Sequence, residues 1–111
     1  ASSRHASFLA VLKRMGPAGN GMLSFPMPGY TLALDLSLRD PDLFKLLDAL
    51  DELVIQHGGR VYLAKDARLS AASFRRMYPR YEEWLTVKNK LDPQHRITSS
   101  LARRLEIGGA A

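Results

Sequence analysis

The sequence contains no cysteine. It therefore offers no disulfide framework, no thiolate metal site and no thiol nucleophile, and the redox compartment stays open. Histidine is scarce: His5, His57 and His95 stand far apart in no metal-ligand spacing, so no metal site is expected. No apolar stretch approaches the length needed to span a bilayer. No signal-peptide pattern opens the chain, and ASSRH reads as a cut or processed end. Neither a G-x-G-x-x-G loop nor a Walker motif is present, so these residues supply no dinucleotide phosphate cradle.

What is present is enough for one small folded domain. The chain has 111 residues, 46% of them hydrophobic, which suits a modest core but is short for an enzyme holding a large cofactor alone. The net charge is +5 and unevenly placed. Residues 1–57 carry 5 Lys or Arg against 6 Asp or Glu, whereas 58–111 carry 11 against 5. A basic half attracts phosphate, nucleic acid or an anionic membrane surface. Here acidic residues interrupt it, and no polybasic run or finger spacing appears. A small basic α/β nucleic-acid-binding module without catalysis is the alternative reading, and a structural fragment of some other α/β enzyme is a third.

Hydrophobic spacing predicts an α+β order. Ser7–Met15 reads as a strand and 16–21 as a glycine-rich loop. The prolines of MLSFPMPGY keep that stretch extended and irregular. YTLALDLSL is the clearest strand, with Tyr30, Leu32, Leu34, Leu36 and Leu38 on an oily face and Thr31, Ala33, Asp35 and Ser37 on a small polar one. Asp40 and Pro41 open a helix over 41–57 that is expected to cover the oily face, and Gly58 or Gly59 stops it. Val61–Ala64 reads as a second, parallel strand reached by a right-handed crossover. A ferredoxin-like sheet would set another strand between them, such as Ser7–Met15. From Leu69 the chain reads as an arm of short helices. Ser70 caps the first, which ends before Pro79. Tyr81, Trp84, Leu85, Lys88 and Leu91 line the second, which stops at Asp92-Pro93. Ser99 or Ser100 caps LARRLE, and IGGAA is expected to fray.

The stretches LSFPMPGYTLALDL, GGRVYLAKDARLS, MYPRYEEW, KNKLDP and SSLARRLE, in that order, resemble the carboxyl end of FAD-linked oxidases of the vanillyl-alcohol-oxidase type. The resemblance implies a fragment: residues 1–68 would close a ferredoxin-like cap or substrate domain, and 69–111 would return to an FAD-binding domain whose amino-terminal part lies upstream. It implies oxidation of a sugar-like secondary alcohol to a ketone by hydride transfer to flavin N5, the substrate being a small or lipid-linked sugar such as a polyprenyl-phosphate pentose. Nucleic acid is not an expected partner. Peripheral membrane contact fits such a substrate, with a cytoplasmic, membrane-associated or periplasm-facing location.

The resemblance also assigns residues. Lys65 matches the strand-end lysine beside flavin and substrate, where an ammonium stabilises the negative charge a reduced flavin gains near N1. Its ordinary reading is a solvent-facing lysine paired with Asp66. Tyr62 matches a pocket tyrosine, against the ordinary reading of a packed strand residue. Thr31 and Ala33 match substrate-pocket positions that hold an asparagine and a cysteine in the oxidases resembled; Thr31 loses the amide and Ala33 the thiol. Arg68 and Asp66 would orient Lys65 or close its loop, with Arg68 a substrate-binding candidate. His95 falls where the return segment would meet the cofactor. Tyr78, Pro79, Arg80 and Trp84 read as a structural aromatic hinge.

Overall fold

The computed structural model describes residues 7–108; ASSRH lies outside them, as do Gly109–Ala111. Two strands, β1 (Leu9–Met15) and β2 (Gly29–Asp35), form an antiparallel hairpin. Leu9 stands opposite Asp35, Lys13 opposite Thr31, and Met15 opposite Gly29. Past the last rung, the Ser7 hydroxyl takes over the pairing: it accepts from the Asp35 amide at 3.1 Å and donates to the Asp35 carbonyl at 3.0 Å.

Helix α1 (Leu43–Gln56) follows. It starts two residues later than Asp40-Pro41 predicts. Asp40 makes its own turn first, its carboxylate accepting from the Asp42 amide at 2.8 Å and its carbonyl from Leu43 at 3.2 Å. The predicted stop holds. Gly58 takes a left-handed φ of 69°, and the Gly58 and Gly59 amides return to the Ile55 and Val54 carbonyls.

Val61–Ala64 is not a strand. Leu63–Lys65 closes a 3-10 turn, with the Lys65 amide bonded to the Tyr62 carbonyl at 3.1 Å. Strand propensity is realised only against a ladder. The Val61 carbonyl, which a ladder would use, instead accepts from the Tyr78 hydroxyl at 2.6 Å. The parallel crossover therefore does not form, and the described sheet has two antiparallel strands. The α+β class stands.

The helices of the arm appear where their local signals lie. They are α2 (Ala71–Met77), α3 (Tyr81–Leu91) and α4 (Ser100–Arg104). Ser70 and Ser99 cap α2 and α4, accepting from the Ser73 and Ala102 amides.

The core lies in this arm. Leu69, Phe74, Met77, Tyr78, Tyr81 and Leu105 form its buried centre, and Val54 and Ile55 of α1 pack against it. Helix α1 thus turns its apolar stripe to the arm, not to the oily face of β2. Leu12 and Leu32 on that face remain 67% and 59% exposed. Ile107 and Gly108 are packed rather than frayed, since Ile107 joins the core and the Gly108 amide donates to the Tyr81 hydroxyl at 3.2 Å.

Candidate active-site rim

The antiparallel register sorts the hairpin into two faces. Val11, Lys13 and Met15 share one with Thr31, Ala33 and Asp35; Leu12 and Arg14 share the other with Tyr30, Leu32 and Leu34. Thr31 and Ala33 thus lie on one face, as the alternation predicts, but β1 adds the larger Val11 and Met15 to it, and Lys13 stands directly opposite Thr31. Sequence spacing alone does not single out Lys13. It comes into view only when the register pairs VLKRM with YTLAL.

Tyr62 and Lys65 sit at the two ends of the 3-10 turn. The Tyr62 ring is 46% exposed and tilts against Phe25 of the β1–β2 loop, with centroids 5.0 Å apart. Lys65 is exposed and pairs with no carboxylate among the described residues, Asp66 included. Asp66 is engaged elsewhere. One oxygen accepts from the Arg68 and Leu69 amides at 3.1 and 2.9 Å, and the other from the Arg104 guanidinium at 2.7 Å. Burial pushes the Asp66 carboxyl up; the Leu69 and Arg68 amides and Arg104 together outweigh it and hold the group below its ordinary value.

Arg68 faces α1. Its guanidinium donates to Asp48 at 2.5 Å and to Asp51 at 2.6 Å, which closes the loop onto the helix. Burial pulls its pKa down, and the hydrogen bonds to Asp51 and Asp48 more than restore it, leaving a permanently charged staple. His95 is exposed in a turn built around Asp92, with a left-handed φ of 49°. Its ring lies against Gly108, where a Cβ would come within 3.0 Å of Nδ1. Among the described residues, no hydrogen bond, ion pair or ring contact joins Thr31 or Ala33 to Tyr62 or Lys65, or any of these to His95.

Tyr78 is buried, and burial lifts its hydroxyl to about 12. Arg80 is tied to Glu83 through two bonds of 2.9 Å. Both sit as structural residues. Six of the eleven cations of the basic half are paired among the described residues. Arg68, Arg75, Arg76, Arg80, Lys88 and Arg104 each face a carboxylate. Among the described residues, no His/Asp/Glu group has metal-holding geometry.

One open cavity of ≈230 Å³ lies between the β1–β2 loop and the arm, lined among others by Gly19, Met22, Ser24, Arg60 and Pro79. None of the expected site residues lines it, and it falls below the size of ordinary cofactor pockets.

Residues 37–105 match the family model for D-arabinono-1,4-lactone oxidase. The chain belongs to this family of FAD-linked oxidases. Within it, the chain is similar to decaprenylphosphoryl-beta-D-ribose oxidase of Mycolicibacterium smegmatis, with 41% identity over 105 residues, covering 95% of this chain and 23% of that protein. It is also similar to an uncharacterized protein in the mprA 5' region of Streptomyces coelicolor, with 44% identity over 95 residues, covering 86% of this chain and 26% of that protein. The chain thus spans about a quarter of the length of these curated relatives. The matched region of this oxidase-family chain begins just past β2 and runs to the last turn of the arm, and so takes in the whole 62–69 turn but not the hairpin.

Proposed function

We propose that this chain is the closing part of a longer FAD-dependent oxidase acting on CH–OH groups. Residues 1–68 end its cap domain, in which the β1–β2 hairpin continues a larger ferredoxin-like sheet, and residues 69–111 return to the FAD-binding domain formed upstream. The substrate class is a sugar-like secondary alcohol oxidised to the ketone. The similarity to decaprenylphosphoryl-beta-D-ribose oxidase makes a lipid-linked pentose the first compound to try. Such a substrate brings the enzyme to a membrane surface as a peripheral protein; no helix among the described residues is long and apolar enough to cross one.

The observation that carries this reading is the contrast between Lys65 and its neighbours. Arg68, Arg76 and Arg104 are each spent on a carboxylate, while the exposed Lys65 has none among the described residues. An exposed cation at a fixed turn fits the edge of an anionic ring. The bound FAD supplies the hydride acceptor. Lys65 would hold a positive field beside the flavin, and Tyr62 would offer a hydroxyl to the substrate or the ring. Thr31, Ala33 and Lys13 would be the hairpin residues turned to the sugar, and His95 would meet the cofactor from the return segment.

The test uses the full-length polypeptide. It should purify with oxidised-flavin absorbance and oxidise decaprenylphosphoryl ribose, and Lys65→Ala should lower kcat by about 10²–10³. Wild-type turnover in Lys65→Ala would remove the lysine from the mechanism; a full-length protein without flavin would remove the reading altogether.

A further inference from the structure

We infer that Arg104, on the last helix, is the positioning residue for Lys65, acting through Asp66. This rests on the role proposed above for Lys65. The lysine is exposed and no partner among the described residues holds its ammonium, so what the protein fixes is the backbone from which the stem starts, and with it the space the charge can reach. That backbone is fixed one residue on. The Asp66 side chain is 4% exposed, and Arg104 reaches it across 38 residues of sequence.

Arg104 spans the whole turn. One terminal nitrogen donates to the Leu69 carbonyl at 2.6 Å; the other donates to the Asp66 carboxylate at 2.7 Å and approaches the Asp66 carbonyl at 3.4 Å. A planar guanidinium can bridge these oxygens at once, which an ammonium on a flexible stem cannot. Its own base is rigid, because the neighbouring Leu105 is wholly buried in the core. A line of short bonds therefore runs from the core, through Arg104 and Asp66, to the residue that carries the free charge.

The loop does not depend on this clamp for its attachment. Arg68 separately ties it to Asp48 and Asp51 of α1, and Arg76 ties α2 to Glu52. Loss of Arg104 should leave the fold in place and let the Lys65 end of the turn drift. A shift of about 1 Å at a reacting centre is enough to cost on the order of a hundredfold in rate.

The experiment is a double-mutant cycle in the full-length, FAD-loaded protein, read as the midpoint potential of the bound flavin by equilibration with redox dyes. Thermal unfolding and flavin content are followed alongside. Lys65→Met should lower the potential, because a nearby cation favours the reduced, more negative ring. Arg104→Gln should lower it in the same direction by a smaller amount, and the double variant should fall no further than Lys65→Met. Asp66→Asn, which keeps the amide-accepting oxygen, should give a partial shift and serves if Arg104→Gln does not fold. Arg103→Gln, at a guanidinium that among the described residues meets only the Ser100 hydroxyl, should leave the potential at the wild-type value. If Lys65→Met shifts the potential while Arg104→Gln and Asp66→Asn do not, the inference is overturned and the Lys65 reading survives. A double variant lower than Lys65→Met also overturns it, since Arg104 would then act directly. No shift in Lys65→Met defeats the Lys65 reading, and the inference with it.

Discussion

Asp92 shows how much a single carboxylate can hold. Lys88, one turn earlier on α3, pairs with it and also donates to the Ile97 carbonyl at 2.8 Å; the Arg96 and Ile97 amides donate to the carboxylate at 2.9 Å each. The Lys88 hydrogen bond, then the two amides, hold the carboxyl down at about 2, from an ordinary 3.8. A carboxyl depressed in the folded state stabilises above its ordinary value and loses that contribution as pH falls. The urea midpoint of the chain should therefore drop between pH 4 and pH 2, with Asp66 adding in the same direction, and Asp92→Asn should flatten that limb. An unchanged acid limb in Asp92→Asn would show that the loss arises elsewhere. LDP is legible in the sequence as a helix stop. The closure of the 95–97 turn around the same carboxylate is not, because it needs the fold-back that brings the Ile97 amide to it. Arg68 illustrates the same limit: its charge is plain in the sequence, but its commitment to Asp48 and Asp51 depends on where α1 lies.

Elements whose signals are local were readable, and those whose partners are distant were not. The ends of α2, α3 and α4 follow from Ser70, Pro79, Asp92-Pro93 and Ser99. The 61–64 segment has strand-like residues, but its state was decided by the Tyr78 hydroxyl from the next helix. Likewise the alternation in β2 defines two faces but not which of them is covered. Gly58 at the end of α1 tests the local logic. No atom lies within 4 Å of a Cβ built there, so an alanine meets only the backbone cost of φ 69°. Gly58→Ala should destabilise the chain by about 1 kcal/mol in urea unfolding. Gly59→Ala should cost more, because its Cβ would lie 2.9 Å from the Val54 Cγ1. Equal costs at the two positions would contradict this account.

On the scale of the molecule, the radius of gyration of 15.6 Å exceeds the roughly 13 Å of a compact chain this long. The bare hairpin sets this apart from a self-contained domain: Leu12, Tyr30 and Leu32 present an oily face that nothing among the described residues covers. In the isolated 111-residue chain, Leu12→Ser with Leu32→Ser should change unfolding by less than about 0.5 kcal/mol. In the full-length protein, where the hairpin would continue a larger sheet and its oily face would be covered, the same pair should lower Tm by several degrees. Equal effects in both would mean that the face stays bare. The clamp between Asp66 and Arg104 carries one more consequence, for the time order of synthesis. The 62–69 turn leaves the ribosome while Arg104 is still to be made or is inside the exit tunnel. The turn can therefore take its final shape only after almost the whole arm has emerged, so a polypeptide halted before that point would display the lysine without the grip that aims it.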